Sequence, residues 1–122
     1  MPRKVLIAED EANILASLEF LMRNDGYEVR VTMRGDEVLS AIGDFQPHLI
    51  LLDVMLPRRN GFELCADIRA NADWRAMKII ILSAKGRDAE MQRGLDAGAD
   101  AYVTKPFATS ELRDQVKRLI DS

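Results

Sequence analysis

The residues Leu49-Ile50-Leu51-Leu52-Asp53 decide the fold of this chain of 122 residues. Four consecutive aliphatic residues are typical of a strand that is buried on both faces, as in the interior of a parallel sheet. The strand ends in a carboxylate, and an irregular segment that runs to Gly61 follows it. A charge in direct continuation of a core strand needs an explanation, because an unpaired buried carboxylate is costly. Asp53 could simply cap the next helix or lie in a turn, but other apolar strands of the chain end in the same way.

Length and composition restrict the class of protein. A chain of this length fits one domain over residues 1–122, and 48% hydrophobic with 30% charged residues is typical of a soluble globular protein. A net charge of −3 without a long basic run argues against direct binding of nucleic acid. No apolar run is long enough for a membrane span. The single Cys65 excludes an intramolecular disulfide and suits a reducing cytoplasm.

Short apolar segments and helical patterns alternate along the chain. The predicted strands are Lys4–Ala8, Tyr27–Val31, Leu49–Asp53, Lys78–Leu82 and Ala101–Thr104. Apolar residues at the spacing of an amphipathic helix follow each strand. These residues are Ile14, Leu18 and Leu21; Val38, Ile42 and Phe45; Leu64, Cys65 and Ile68; Met91 and Leu95; and Leu112, Val116 and Leu119. Thr109 or Ser110 is expected to cap the last helix.

This alternation predicts an α/β fold of the doubly wound (βα)5 type, with five parallel strands and helices on both faces of the sheet. The first, third and fourth strands are the most apolar and therefore belong in the middle. The second strand alternates between polar and apolar residues, as an edge strand does. The flavodoxin-like strand order 2-1-3-4-5 satisfies both statements.

Polar residues stand at the ends of four of these strands. Glu9 and Asp10 follow the first strand, and Asp53 ends the third. Ser83 follows the fourth strand, and Lys105 follows the fifth. In an open α/β sheet, ligands bind outside the carboxyl ends of the strands, where the strand order reverses. Any one of these residues could be a cap or a surface group, but their joint occurrence predicts one site.

The predicted site collects three acids, Glu9, Asp10 and Asp53. Two carboxylates about 5 Å apart repel by roughly 3 kcal/mol at an effective dielectric constant of ~20, so a cation is expected among them. An all-oxygen donor set fits Mg²⁺, which keeps waters for an incoming phosphate. Lys105 could hold a phosphoryl oxygen and Ser83 could donate its hydroxyl proton. These are the parts that phosphoryl transfer requires.

Four motifs in this order carry a resemblance to a known family. They are Ala8-Glu9-Asp10; Leu51-Leu52-Asp53-Val54-Met55-Leu56-Pro57 with Gly61; Leu82-Ser83-Ala84; and Gly98-Ala99-Asp100-Ala101-Tyr102 leading to Lys105-Pro106-Phe107. Together they are highly specific. The chain resembles the CheY-like receiver domain of bacterial two-component response regulators over essentially its whole length.

The resemblance implies a phosphoacceptor and its metal ligands. Asp53 would take a phosphoryl group from a sensor histidine kinase or a histidine phosphotransfer protein and become an acyl phosphate. Asp10, Asp53 and the backbone carbonyl of Met55 would bind Mg²⁺, and Glu9 would act directly or through water. Such a protein promotes only its own phosphorylation and dephosphorylation, so the resemblance does not imply an enzyme that acts on other molecules.

The resemblance also implies a switch. Lys105 would pair with the phosphoryl oxygens, and the Lys105–Pro106 bond would be cis, a geometry realistic only before proline. Ser83 would hydrogen-bond the new phosphate, and Tyr102 would turn inward behind it. This movement would reshape the face formed by the fourth helix, fifth strand and fifth helix (the α4-β5-α5 face), where a downstream protein target or a second copy binds.

Several residues depart from the family's pattern or stand beside it. Arg58 and Arg59 occupy a loop where many receivers have small or apolar residues, so they either face solvent or meet the kinase or the phosphoryl group. Lys85 either faces solvent or borders the phosphate, as the residue at this place does in receivers; in the second case, replacing it with alanine would alter autodephosphorylation. Ala101 and Gln115 stand where receivers that form a charge-paired dimer carry an aspartate and an arginine, which puts that dimer in doubt.

Three other functions compete with the receiver interpretation. A phosphatase of the haloacid dehalogenase type would need a second aspartate at position 55, which is Met55. A flavodoxin-like cofactor carrier would cradle a phosphate in its first loop, but the acids Glu9, Asp10 and Glu11 would repel it. A structural interaction module remains open if Asp53 is never phosphorylated. Whether the chain stands alone or is the receiver of a longer transcriptional regulator stays open at this point.

Overall fold

Strands and helices alternate throughout the part of the chain that the computed structural model describes, which is residues 2–84 and 88–122. The strands are β1 (Lys4–Ala8), β2 (Glu28–Thr32), β3 (Leu49–Asp53), β4 (Lys78–Ser83) and β5 (Ala101–Thr104). The α-helices are α1 (Ala12–Asn24), α2 (Val38–Phe45), α3 (Gly61–Ala70), α4 (Asp88–Asp96) and α5 (Thr109–Ile120). Single turns of 3₁₀-helix at Gly35–Glu37 and Ala72–Trp74 precede α2 and β4.

The five strands are parallel and lie in the order β2-β1-β3-β4-β5, which confirms the predicted topology. The register pairs Ala8 with Leu52 and Asp53 with Leu82. The carboxyl ends of the central strands therefore finish side by side at one edge of the sheet. Because the strand order reverses between β1 and β3, this edge is where α/β proteins of this type bind ligands.

Each face of the sheet has its own core. Alternate residues of a strand point to opposite faces, so Val5 of β1 packs in the core of α1 and α5, whereas Leu6 packs in the core of α2 and α3. All five residues of β3 are buried, which confirms the expectation from its aliphatic run. Burial of each Leu or Ile side chain contributes roughly 1.5–3 kcal/mol. This packing holds Asp53 rigidly at the end of the strand.

Two details differ from the sequence-based expectations. Ala108 occupies the N-cap of α5 without a side-chain hydrogen bond, so neither Thr109 nor Ser110 caps that helix; the helix begins at Thr109, one residue too early for either hydroxyl to serve. Leu95 of α4 is 44% exposed rather than buried. Gly94 takes the inward position beside Tyr102, and Leu95, one residue later and about 100° further round the helix, points to solvent.

Candidate functional site

Three carboxylates meet where β1 and β3 end. Glu9 is fully buried, Asp53 is 3% exposed and Asp10 is exposed. One oxygen of each residue lies within 4.8 Å of the others. The register of the sheet produces this proximity, because β1 and β3 are hydrogen-bonded neighbours that end together. The structure therefore brings together the three acids that the sequence predicted to be close.

Lys105 supplies a positive charge to this cluster. Its Nζ lies 2.6 Å from Oε1 of Glu9 and 3.2 Å from Oδ1 of Asp53. The backbone N–H of Lys105 donates to the carbonyl of Ser83 at 2.7 Å, which extends the β4–β5 pairing past the end of β5. The peptide bond between Lys105 and Pro106 is cis. The extended β4–β5 pairing positions Lys105 so that its side chain reaches from β5 to the ends of β1 and β3.

The electrostatics of the cluster are set by burial and by these two ion pairs. Burial raises the pKa of Asp53, and the neighbouring charge of Glu9 raises it further, while Lys105 acts in the opposite direction. Burial alone would lower the pKa of Lys105, but its bonds to Glu9 and Asp53 outweigh that effect and raise it. Lys105 is therefore firmly protonated, and one ammonium faces two buried carboxyl groups.

The donor set fits a hard divalent cation. It consists of carboxylate oxygens from three residues, without nitrogen or sulfur ligands among them, and such oxygen sites suit Mg²⁺. Two backbone N–H groups orient the acids: that of Met55 donates to Oδ1 of Asp53 at 3.3 Å, and that of Glu11 donates to Oε2 of Glu9 at 3.1 Å. The side chain of Met55 is 68% exposed beside the cluster.

Ser83 and Tyr102 lie on the β4–β5 side of the cluster. Ser83 is 2% exposed and ends β4. It lines a cavity of about 360 Å³ together with Met55 and Phe62. Tyr102 is half-buried and packs against the core of α2 and α3. A Cβ atom at Gly94 would lie 3.1 Å from the Tyr102 ring, so α4 rests directly on this tyrosine.

The two arginines of the β3–α3 loop have different surroundings. The guanidinium of Arg59 pairs with Asp67 and lies 3.8 Å from Glu63, so Arg59 is tied to α3. Arg58 is exposed and adopts a positive φ of 78°, a conformation that costs a residue with a side chain roughly 1–2 kcal/mol. Arg58 is thus the one whose guanidinium is exposed. Lys85 lies outside the described residues.

Asp100 forms an ion pair and a hydrogen bond within the fold. The sequence pattern did not predict these contacts. Nη2 of Arg69 lies 2.6 Å from Oδ2 of Asp100, and the same oxygen accepts the backbone N–H of Ile79 at 2.8 Å. Arg69 also donates to the carbonyl oxygens of Gly98 at 2.8 Å and Met77 at 2.7 Å. Asp100 therefore belongs to an internal network that joins α3 to β4 and β5.

Three further residues, Cys65, Trp74 and His48, are engaged within the fold. Cys65 is fully buried. Trp74 is half-buried and packs against the core of α2 and α3. Nδ1 of His48 accepts the backbone N–H of Lys4 at 2.9 Å, so this ring helps to join the starts of β3 and β1. In residues 2–84 and 88–122, no helix is long and apolar enough to cross a bilayer.

Comparison with known proteins gives a family match. The family model of the response regulator receiver domain matches residues 5–117. A candidate response regulator from Chloroflexus aurantiacus J-10-fl superposes with a TM-score of 0.95 at 34% sequence identity, and both chains are covered in full. A CheY-like response regulator receiver domain protein from Methanospirillum hungatei JF-1 gives a TM-score of 0.91 at 30% identity, with 99% of this chain and 95% of that chain covered.

A third similar structure contains a metal. The receiver domain of the sensor histidine kinase PA1611 from Pseudomonas aeruginosa PAO1 has a TM-score of 0.91 and 29% identity, with both chains covered in full. In that protein a magnesium ion is coordinated in the active-site cleft.

Proposed function

Because this chain belongs to the response regulator receiver domain family, we propose that it is the phosphoacceptor of a two-component system and that Asp53 receives the phosphoryl group. One observation carries the proposal. Asp53 ends a fully buried strand, yet its carboxylate lies in a cluster with two further acids and 3.2 Å from Lys105. A purely structural strand end has no need of such a cluster, because three gathered acids oppose folding.

The transfer step is a displacement at phosphorus. An oxygen of Asp53 bonds to the phosphorus atom as the bond from phosphorus to the donor nitrogen of a phosphohistidine breaks, and the imidazole keeps that electron pair and takes a proton. The buried carboxylate needs to be ionised for this step. Lys105 favours the ionised form, and its ammonium can pair with a phosphoryl oxygen when the phosphoryl group arrives.

We assign the Mg²⁺ ligands to Asp10, Asp53 and the backbone carbonyl of Met55, with Glu9 acting directly or through water. The bound cation supplies neutralisation of charge on the phosphoryl oxygens. Glu9 also holds Lys105 at 2.6 Å, so its proposed second task is to position this lysine beside Asp53.

The proposed switch involves Ser83, Tyr102 and the α4-β5-α5 face. The hydroxyl of Ser83 would donate to a phosphoryl oxygen on Asp53, and Tyr102 would follow inward. Support comes from the tight fit of Gly94 against the Tyr102 ring, because a movement of the ring must change how α4 packs. A downstream protein or a second copy would detect this change as a shift between two packings.

The proposed partners are a sensor histidine kinase or a histidine phosphotransfer protein on the donor side. We place the exchange in the cytoplasm, where the single Cys65 needs no disulfide partner. The chain would catalyse only its own phosphorylation and dephosphorylation. Its receiver role is the same whether it works alone or within a longer transcriptional regulator. The phosphatase alternative lacks an acid/base group at Met55 and is therefore disfavoured.

The test is to incubate the protein with Mg²⁺ and acetyl phosphate and to measure its mass. We expect one phosphoryl adduct that depends on Mg²⁺, disappears in Asp53→Asn and persists in the matched control Asp67→Asn, a surface aspartate on α3. The absence of any adduct, or an adduct that survives in Asp53→Asn, would contradict the assignment.

A further inference from the structure

A second cavity lies at the opposite edge of the sheet from Asp53. Its volume is about 240 Å³, and it opens among the first residues of the strands, about 16 Å from their carboxyl ends for strands of five residues. Its lining combines an apolar part and a basic part; the residues that matter here are Pro47, Leu119 and Ile120, and Arg3, His48 and Lys78.

The strand periodicity explains why bases from distant parts of the chain meet here. Residues two apart on a strand share a face of the sheet. Val5 and Ile80 belong to the core of α1 and α5, so Lys78, two residues before Ile80 on β4, is directed to that same face. Arg3 directly precedes β1 and lines the same cavity. The end of α5 lies over this face and contributes Leu119 and Ile120 to the cavity. The two basic residues Arg3 and Lys78 therefore lie beside the apolar residues Leu119 and Ile120.

Among the described residues that line this cavity, no side chain carries a negative charge. Within residues 2–84 and 88–122, neither Arg3 nor Lys78 forms an ion pair. Asp121, at the end of α5, lines a separate groove with Tyr27. Burial together with the charges of Arg3 and Lys4 lowers the pKa of His48, as expected for a ring in a positive environment.

His48 adds a directed donor. Its Nδ1 accepts the backbone N–H of Lys4, so the neutral ring carries its proton on Nε2, which leaves that N–H for a ligand. We propose that this cavity binds a small organic anion, whose carboxylate or phosphate group meets Arg3, His48 and Lys78 and whose apolar body lies against Leu119 and Ile120.

The proposal can be tested without Mg²⁺ or a phosphodonor, so the proposed receiver function plays no part in the outcome. His48 is the single histidine of the chain, and its ring resonances therefore report on the cavity by NMR at constant pH and ionic strength. Benzoate is the probe, benzamide is its neutral counterpart, and sulfate is an anion without an apolar body. We expect benzoate to shift the His48 resonances saturably. Benzamide and sulfate should cause smaller shifts at the same concentrations.

Variants that each remove one positive charge test whether benzoate binds in this cavity. Arg3→Gln and Lys78→Gln should each weaken benzoate binding by about two- to fivefold, the effect of one partly exposed ion pair. Lys117→Gln removes a base from another face of α5 and should leave the affinity unchanged. A non-saturable response, equal responses to benzoate and benzamide, or equal weakening by Lys117→Gln would overturn the proposal. In that case the bases would serve only to complement the negative end of the α5 dipole.

Discussion

The ammonium of Lys105 lies closer to Glu9, at 2.6 Å, than to Asp53, at 3.2 Å. Both carboxyl groups are buried, so the lysine completes a one-to-one pair with Glu9 and leaves part of the charge of Asp53 uncompensated. Among the described residues, Lys105 therefore supplies the positive charge that contacts these two acids. This arrangement modifies the expectation that the acids simply repel one another. It predicts that removing the charge of Asp53 stabilises the metal-free protein, whereas removing the charge of Lys105 destabilises it.

Replacing Asp53 with asparagine should raise the free energy of unfolding of the metal-free protein by about 1 kcal/mol at neutral pH. Burial and Glu9 raise the pKa of Asp53, which means that the folded state disfavours its ionised form by more than Lys105 restores. Urea unfolding in the presence of EDTA measures the change. Lower metal-free stability of Asp53→Asn would show that the acids do not crowd one another.

Mg²⁺ should raise the melting temperature of the wild-type protein, because a ligand that binds only the folded state stabilises it. The increase should be much smaller in Asp53→Asn, which lacks one proposed ligand, and unchanged in Asp67→Asn. Thermal unfolding at increasing Mg²⁺ concentrations, with Ca²⁺ in a parallel series, checks this. Equal increases in the wild type and Asp53→Asn would place the metal elsewhere.

Replacing Lys105 with methionine should lower the free energy of unfolding by about 3 kcal/mol without metal, because it leaves two buried carboxylates unpaired. The double variant Lys105→Met/Asp53→Asn should recover a large part of this loss, since only Glu9 then lacks a partner. Lys117→Met, an exposed lysine on α5, is the matched control and should change stability little. Additive effects in the double variant would exclude coupling between Lys105 and Asp53.

The strand order and the meeting of Glu9, Asp10 and Asp53 could be predicted because periodicity identifies the elements and parallel strands bring their ends together. The partner of Lys105 could not, since Glu9 is 96 residues away and the choice between two adjacent carboxylates depends on side-chain direction. The contact between Arg69 and Asp100, which are 31 residues apart, could not be predicted for the same reason. The sequence around each residue gives no information about which distant side chain it contacts.

Replacing Arg58 with glycine should stabilise the protein by about 0.5–1 kcal/mol. The φ of 78° at Arg58 is unfavourable for a side chain and accessible to glycine, and the guanidinium forms no ion pair among the described residues that would be lost. Arg59→Gly should instead destabilise, because Arg59 pairs with Asp67. Chemical unfolding of both variants measures these changes, and a loss of stability in Arg58→Gly would show that the guanidinium contributes more than the backbone conformation costs.

The thiol of Cys65 should react slowly in the folded protein. The side chain is fully buried, and burial raises its pKa to about 11, so the thiolate fraction at pH 8 falls by about 100-fold. Because Cys65 is the single cysteine, a thiol-specific chromogenic reagent reports on it alone. The rate should rise to that of a free cysteine in 8 M urea. Rapid reaction of the native protein would indicate that α3 opens readily.

The stability of the protein should decrease between pH 7.5 and pH 5.5 through His48. Burial and the charges of Arg3 and Lys4 lower the folded-state pKa of His48 below its ordinary value of 6.5. The unfolded state therefore binds the proton more readily, so the stabilising effect of the neutral ring is complete above pH 6.5 and is lost as the pH falls through the folded-state pKa. Protonation also removes the Nδ1 lone pair that accepts the Lys4 N–H. Urea unfolding at both pH values should show a smaller decrease in His48→Gln than in the wild type, and equal decreases would assign the effect to other groups.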